Sequence, residues 1–218
     1  HSLLVSSHDP LIDLRGVGAR MGATTILRGV NVSVAPGETV GLFGANGAGK
    51  TTLLRIMATL LLPSEGDGTV LGAAVTGADR YGVRPRISLI GHVPALYPEL
   101  TLRENLGFVA RVGGQSDQRV DEVLATVGLA DAADRRAAVC SYGMQRRAEF
   151  ARELMRAPDL LLLDEPHTAL DAAAVELVGH ITAGVTARGG AAVVVSHDRT
   201  RVASMVARSM EVTGGTIG

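Results

Sequence analysis

The chain has 218 residues, 46% of them hydrophobic, and its 21 Lys plus Arg are balanced by 22 Asp plus Glu. The length predicts one well-cored domain, or a core with a small insertion, and the composition excludes disordered and fibrous proteins. The net charge of −1 and the lack of a basic stripe exclude a protein that holds nucleic acid by bulk positive charge, because neutralising phosphates needs an excess of basic residues.

The first part of the chain is predicted to form antiparallel strands. Residues 11–14 and 30–34 alternate apolar and polar side chains, the period-two pattern of half-buried strands. A Pro36-Gly37 turn follows the second run. The apolar residues 39–43 then predict a buried strand, and a helical pattern begins at Lys50 and runs to about residue 61.

The middle of the chain is predicted to be mostly helical. Strands are predicted at residues 69–71 and 86–90, and a capping-box pattern then pairs Thr101 with Glu104 ahead of an apolar helical period. Asp117 precedes a second such helix. The helical character that follows residue 90 indicates an inserted helical region.

Strands alternate with helices again toward the end of the chain. Residues 160–163 and 192–195 predict buried strands, and residues 172–187 predict the helix between them. Buried strands that alternate with helices predict an α/β fold with a mostly parallel sheet covered on both faces.

Cysteine content and hydropathy indicate a compartment. Cys140 is the only cysteine, so an internal disulfide is excluded, and the start of the chain does not read as a secretion signal. We therefore expect a reducing cytoplasm. Apolar runs such as residues 191–195 are far shorter than the roughly 18 to 20 residues that cross a bilayer, so any membrane role is expected to depend on a partner.

A glycine-rich loop joins the strand at 39–43 to the helix that follows and fits the spacing G-x-x-x-x-G-K-[ST] at every fixed position. Glycines let backbone N–H groups wrap around phosphate oxygens, and the helix N-terminus adds positive potential. Lys50 is expected to reach the β- and γ-phosphates and the Thr51 hydroxyl to bind Mg²⁺. A loop that only turns the chain is the alternative, and the strand and helix around it disfavour that. The phosphate-site residues are Gly44, Ala45, Asn46, Gly47, Ala48, Gly49, Lys50, Thr51 and Thr52.

Two adjacent carboxylates, Asp164 and Glu165, end the strand at 160–163. Parallel α/β sheets place their ligand sites at this edge. Asp164 is suited to hold Mg²⁺, directly or through water, and Glu165 to polarise an attacking water. The alternative is a pair of helix N-terminal acids ahead of Pro166, but two carboxylates of different duty explain the pair better.

A third element makes the chain resemble the ATP-binding cassette family. Residues 140–147, Cys-Ser-Tyr-Gly-Met-Gln-Arg-Arg, are similar to the family's signature loop and its helix. In that family two nucleotide-binding domains face head to tail, and the signature loop of one contacts the γ-phosphate held by the other. The resemblance carries Ser141 and Gly143 over as ATP contacts, while Cys140, Tyr142 and Met144 depart from the usual LSGGQ.

The resemblance implies a domain organisation. It is that of a P-loop NTPase (RecA-like) core with a mostly parallel sheet, an N-terminal antiparallel β subdomain and an inserted helical subdomain. Residues 9–218 would form one nucleotide-binding domain. Residues 9–90 and 158–218 would form the core with its β subdomain, and residues 91–157 the helical subdomain that carries the signature loop.

Further family positions follow from the same resemblance. Asp171 lies in a stretch similar to the D-loop, and His197 in one similar to the switch region, whose histidine contacts the γ-phosphate. His92 occupies the place of a glutamine that usually meets Mg²⁺ and the lytic water, although imidazole is a poorer ligand than an amide oxygen for a hard cation. Met21 stands where an aromatic ring usually stacks on adenine, so we expect weaker adenine binding.

The implied function is that of a transport ATPase. The chain would hydrolyse ATP to ADP and phosphate, form a homodimer or pair with a similar cassette around two Mg²⁺-ATP, and drive a separate membrane permease from the cytoplasmic face of the membrane. No nucleic acid partner is expected. Residues 90–94 resemble the ATP-binding subunit of the haem exporter of cytochrome c biogenesis.

Three other functions stay open at this point. The chain could serve an exporter of drugs, lipids or other small molecules. It could be a nucleotide-binding regulatory module with little hydrolysis, although the presence of Glu165 favours an enzyme. A soluble cassette acting in DNA repair or translation is disfavoured by the single cassette and the lack of basic excess.

Overall fold

The computed structural model describes residues 9–167 and 172–218. The chain divides into two compact units. The first comprises the chain up to Leu89 together with Pro158–Pro166 and Thr182–Gly218. The second comprises Ile90–Ala157 and His167–Ile181. Residues 167 and 172–181 were predicted to belong to the core, whereas in the structure they belong to the unit that contains the helical region.

The described residues form two β-sheets. A four-stranded sheet has the order β2-β1-β4-β5, and a six-stranded sheet has the order β10-β9-β3-β8-β7-β6. The strands are β1 (Ile12–Met21), β2 (Thr24–Val34), β3 (Thr39–Phe43), β4 (Glu65–Val70), β5 (Ala73–Ala74), β6 (Ile87–Ile90), β7 (Leu160–Asp164), β8 (Ala191–Val195), β9 (Arg208–Thr213) and β10 (Thr216–Ile217).

The six-stranded sheet confirms the predicted mostly parallel core. β3 pairs in parallel with β8 and β9, and β7 pairs in parallel with β8, whereas β10 is antiparallel to β9. All residues of β3, β7 and β8 are buried. Val195 lies opposite both Leu42 and Asp164 in the register. The carboxyl ends of β3, β7 and β8 are therefore level with one another, at the edge where such sheets bind ligands.

The four-stranded sheet confirms the antiparallel N-terminal strands, which are longer than the sequence pattern indicated. β1 pairs with β2 and β4 in antiparallel register, with a shift between Leu14 and Val17 against β2 and between Arg15 and Gly18 against β4. Gly16 lies at this irregularity with a φ of 62°, and its N–H donates to Asn31 Oδ1 at 2.9 Å. The bulge breaks the period-two alternation, so only the regular ends of both strands were visible in the sequence.

Seven helices lie among the described residues: α1 (Lys50–Met57), α2 (Arg80–Val83), α3 (Leu102–Val112), α4 (Asp117–Thr126), α5 (Tyr142–Arg156), α6 (Ala172–Ala187) and α7 (Arg199–Val202). Short 3₁₀ turns occur at Arg84–Arg86, Ala130–Ala132 and Ala137–Val139. Within the described ranges, no helix combines the length and apolar character that crossing a bilayer requires.

Helix α1 ends earlier than its apolar pattern predicted. Thr59 takes a left-handed φ of 59°, a conformation that cannot continue a right-handed helix. Arg84 holds this end in place, because its Nη2 donates to Thr59 O at 2.6 Å and its Nε donates to Thr59 Oγ1 at 3.2 Å. The end of α1 is thus held by Arg84, which lies 25 residues further along the chain.

The second unit has its own apolar core between α3, α4 and α5. The capping box at α3 is confirmed, since Glu104 N donates to Thr101 Oγ1 at 3.1 Å and Thr101 N donates to Glu104 Oε2 at 2.8 Å. Ser116 caps α4, so Asp117 is the first helical residue. Leu177 of α6 packs against this core, in keeping with the place of residues 172–181 in this unit. Core side chains include Leu102, Leu106, Val120, Val123, Leu124, Ala148 and Ala151.

Candidate functional site

The glycine-rich loop, residues 44–49, connects β3 to α1 and surrounds the chain's only lysine. Lys50 is the first residue of α1 and is 7% exposed. Its Nζ donates to Gly44 O at 2.7 Å and to Ala45 O at 3.0 Å. The loop therefore curls around the ammonium group, which it holds at the N-terminus of a helix, the position that favours anions.

Two glycines of the loop are required by close contacts. Gly44 has a φ of 143°, and a Cβ there would lie 2.3 Å from Val212 O of β9. Gly49 has a φ of 106°, and a Cβ there would lie 2.7 Å from the Leu27 side chain of β2. Any side chain at either position would displace the loop from the strands beside it, so these glycines hold the loop's shape.

Thr51 and Asp164 meet although 113 residues separate them. Thr51 follows Lys50 in the first turn of α1, and Asp164 ends β7. The Thr51 hydroxyl donates to Asp164 Oδ2 at 2.8 Å. A hydroxyl and a carboxylate oxygen are ligands that suit Mg²⁺, so the pair predicted as metal ligands converges at one point. Thr52 lies half-buried in the same turn.

Glu165 and His197 form a second convergent pair. His197 Nδ1 lies 2.9 Å from Glu165 Oε2. Glu165 has a left-handed φ of 51°, which costs a residue with a side chain about 1–3 kcal/mol. Its N–H donates to Val195 O at 3.0 Å. The chain thus turns sharply after β7. This turn brings the Glu165 carboxylate to His197, which lies two residues after the end of β8.

A tight turn holds His197 between β8 and α7. Asp198 N donates to Ser196 Oγ at 3.1 Å, and Thr200 N donates to the Asp198 carboxylate at 3.0 Å, so that Asp198 caps α7. The cap lowers the pKa of Asp198, chiefly through hydrogen bonds from Thr200. The backbone on both sides of the imidazole is therefore fixed by local hydrogen bonds.

The second unit contains three more of the predicted site residues. Ser141 is the N-cap of α5 and accepts from Met144 N at 3.3 Å, and Gly143 lies in the first turn of this helix. His92 lies in the exposed segment between β6 and α3. The predicted signature-like loop is therefore a capped helix N-terminus, with its serine at the cap.

Two predicted nucleotide contacts remain. Met21 is the last residue of β1 in the first unit and is 66% exposed. Asp171 lies outside the described residues. The structure thus describes Met21 as an exposed side chain, and the role of both residues stays a prediction.

One relationship was missed by the sequence analysis. The Tyr142 hydroxyl donates to the main-chain carbonyl of His92 at 2.7 Å. The sequence marks the two residues only as separate departures from the family pattern. A hydrogen bond to a backbone carbonyl leaves no mark on the identity of the accepting residue, so the sequence offered no signal for it.

Comparisons with known proteins identify the family of the chain. Residues 27–168 match the ABC transporter family. The chain is 39% identical, over 193 residues that are 88% of its length and 91% of the other protein, to the cytochrome c biogenesis ATP-binding export protein CcmA 2 of Cupriavidus metallidurans. It is 40% identical, over 190 residues that are 87% of its length and 68% of the other protein, to the aliphatic sulfonates import ATP-binding protein SsuB 2 of Burkholderia cenocepacia.

A solved structure shows the same fold. The ATP-binding subunit of an ABC transporter superposes with a TM-score of 0.85 and 26% identity, over 95% of this chain and 89% of that one. The chain belongs to the ABC transporter family, as an ATPase subunit.

Proposed function

We propose that this chain binds Mg²⁺-ATP, hydrolyses it to ADP and phosphate, and drives a separate membrane permease from the cytoplasmic face of the membrane. The observation that carries the proposal is the 2.9 Å contact between Glu165 and His197. A regulatory module with little hydrolysis would not need an oriented carboxylate at the ligand edge of the sheet, so the contact favours the enzyme.

The residues of the first unit fit both ligands. The close backbone approach at Gly44 leaves no room for a side chain, and Lys50 offers a single buried ammonium. ATP would be held through its phosphates by the loop N–H groups and Lys50, and Mg²⁺ by Thr51 and Asp164. When bound, Mg²⁺ would neutralise charge on the terminal phosphates.

Each remaining side chain takes one task in hydrolysis. Glu165 accepts a hydrogen bond from the attacking water and draws its proton away, while His197 fixes the orientation of that carboxylate. Lys50 stabilises negative charge on the transferred group. His92 is proposed to orient water. These side chains act by positioning and electrostatic stabilisation, as phosphoryl transfer requires.

The proposed assembly is a homodimer or a pair with a similar cassette. The chain carries one phosphate loop and one signature-like helix N-terminus, and the family's sites combine these two parts from different subunits. ATP-loaded Glu165→Gln is therefore expected to elute as a dimer during size-exclusion chromatography. A monomer at saturating Mg²⁺-ATP, both alone and with a candidate paired cassette, would contradict this part of the proposal.

A groove in the second unit is the proposed seat for the permease. It has a volume of about 420 Å³. Tyr97 and Phe108 meet there edge to face with ring centroids 6.2 Å apart, and both are largely exposed. Exposed aromatic pairs are typical of interaction surfaces, and an apolar helix at the cytoplasmic end of the permease is the proposed occupant. The lining residues are Ala95, Leu96, Tyr97, Asn105, Leu106, Phe108, Val109 and Arg152.

Haem export for cytochrome c biogenesis is the proposed transport process. The similarity to the cytochrome c biogenesis export protein extends over 91% of that protein, and residues 90–94 carry the same resemblance. The similarity to the sulfonate import protein covers only 68% of that protein. Sulfonate import is therefore the less supported process.

Deletion of the gene in its host tests the cargo. We expect loss of covalently attached haem from c-type cytochromes, measured by haem staining of membrane proteins. Wild-type protein should restore the signal, and Glu165→Gln should not. Normal c-type cytochromes in the deletion strain would contradict haem export and leave the ATPase activity to be judged separately.

A further inference from the structure

One face of α5 holds the main chain around His92. Residues 142, 146, 149 and 152 are spaced three or four apart, so they lie along the same side of the helix. Arg146 Nη1 donates to Gly91 O at 2.7 Å, and Arg146 Nη2 donates to His92 O at 2.9 Å. The helix and the loop that it holds both belong to the second unit.

The same face also fixes the far end of this loop. Glu149 Oε1 accepts from Ala95 N at 2.8 Å, and Arg152 Nη1 donates to Ala95 O at 3.2 Å. Arg146 and Glu149 are joined at 2.9 Å, with side chains 0% and 1% exposed. The buried ion pair ties the two ends of the loop to one rigid element.

Tyr142 adds a second donor to the His92 carbonyl. Its hydroxyl donates to His92 O at 2.7 Å and accepts from Arg146 Nη2 at 2.8 Å. The three groups therefore form a closed triangle around the carbonyl. Tyr142 is also the first residue of α5, directly after the cap Ser141. Its hydrogen bond therefore connects the start of this helix to the main chain of His92.

From this contact we propose that Tyr142 is a positioning residue for His92. Together with Arg146, the hydroxyl holds the His92 carbonyl and thereby the direction in which the imidazole leaves the backbone. The inference rests on the proposed part of His92 in hydrolysis. It also accounts for two departures from the family pattern together. Tyr142, which replaces a glycine at the start of α5, positions His92, which replaces a glutamine.

A double-mutant cycle of Tyr142→Phe and His92→Ala tests this inference through kcat and KM for Mg²⁺-ATP. The loss of one hydrogen bond is expected to lower kcat roughly three- to tenfold, with KM changed less than about twofold, because Tyr142 acts through a residue that orients water. In the His92→Ala background, Tyr142→Phe is expected to cause no further loss.

Tyr81→Phe is the matched control. The Tyr81 hydroxyl also accepts a hydrogen bond from an arginine, Arg80, but Tyr81 lies in the first unit, apart from the unit of His92, and carries no proposed role in hydrolysis. Its kcat should equal that of wild type. Thermal unfolding of each variant shows that it is folded, and the conservative Phe keeps the ring of Tyr142 in place.

Hydrogen exchange of residues 91–95 provides a readout that does not need turnover. Tyr142→Phe is expected to raise amide exchange there several-fold, and Tyr81→Phe to leave it unchanged. Unchanged exchange, an unchanged kcat, or a kcat loss that recurs in the His92→Ala background each overturns the inference. A different outcome separates the two proposals. If Tyr142→Phe raises amide exchange but wild type and Glu165→Gln both fail to hydrolyse ATP, only the proposed function is overturned.

Discussion

The His197 imidazole lies 2.9 Å from the Glu165 carboxylate, joining residues that follow two neighbouring parallel strands. An ionised carboxylate accepts hydrogen bonds and cannot donate them, so the shared proton belongs on Nδ1 of His197. A neutral ring in that tautomer keeps Nε2 as an acceptor. The contact therefore orients the Glu165 carboxylate toward His197.

Replacement of His197 by alanine removes the partner that orients Glu165. We expect kcat for Mg²⁺-ATP to fall roughly 10- to 100-fold, at or below the lower end of the range for general acid–base groups, because His197 acts through Glu165; ATP affinity should change little. Steady-state phosphate release and nucleotide binding measure the two effects. His180→Ala is the matched control, because His180 lies in α6 and carries no proposed role. A full kcat in His197→Ala contradicts the orienting role.

Removal of the Thr51 hydroxyl should weaken metal binding specifically. In Thr51→Val the side chain keeps its shape but cannot join Asp164 in holding a cation. We expect the Mg²⁺ concentration for half-maximal hydrolysis to rise at least about tenfold, since one hard oxygen ligand is lost. Thr51→Ser retains the hydroxyl and should behave like wild type. An unchanged magnesium dependence in Thr51→Val would show that Thr51 is not a ligand.

The single lysine gives a direct probe of the phosphate loop. Amine-reactive labelling can modify only one side chain, Lys50, whose Nζ is held by Gly44 and Ala45. ATP is expected to protect it, as read by mass spectrometry of the labelled peptide. Arg55→Lys places a second, exposed amine in the same helix, and its labelling should be insensitive to ATP. Equal labelling of Lys50 with and without ATP contradicts its assignment.

Lys50→Arg should abolish normal turnover although it conserves the charge. The ammonium sits within 3.0 Å of two loop carbonyls, a compact space that a broad planar guanidinium does not match. We expect a loss of at least about tenfold in kcat/KM for ATP. Arg55→Lys, the opposite exchange on the same helix, should retain full turnover. Normal kinetics in Lys50→Arg would show that the phosphate loop does not require a lysine at this position.

Glu38 predicts a pH-dependent contribution to stability. Partial burial favours the neutral carboxyl, but hydrogen bonds from Arg208 and from Ala35 N–H outweigh it and lower the pKa of Glu38. Because the folded pKa lies below the unfolded value, this contribution is present above about pH 4.3 and is lost as the pH falls through the lowered pKa.

Urea unfolding of Glu38→Gln tests that contribution. The variant should lose less than about 1 kcal/mol of unfolding free energy at neutral pH, since the Arg208 contact is near the surface. The difference from wild type should shrink as the pH falls below about 4. A constant difference between wild type and variant across that range would show that the ionised carboxylate contributes nothing.

The strand, loop and helix of the phosphate site were predictable because each depends on local sequence. The apolar run of β3 and the glycines that follow it specify their conformations directly, and the same holds for the run that ends at Asp164. The end of α1 was not predictable. It depends on Arg84 contacting Thr59 from 25 residues away, and the apolar pattern of the helix continues past that point.

β9 was also missed, for a related reason. Only Met210 and Val212 of this strand are buried, which is too few for a clear alternating pattern, and its place in the sheet comes from pairing with β3. Yet Val212 O is the atom that makes glycine necessary at residue 44. The motif revealed that a glycine was required there, and only the tertiary structure showed which strand requires it.

The central claim is that Glu165 supports ATP hydrolysis by this chain, and phosphate release from Mg²⁺-ATP measures it most directly. Wild-type protein and Glu165→Gln are compared alone and together with the membrane proteins encoded beside the gene. Wild type is expected to release phosphate steadily and Glu165→Gln at least about 100-fold more slowly, with ATP binding intact in both. Equal inertness of the two proteins in both settings, despite bound ATP, would contradict the account.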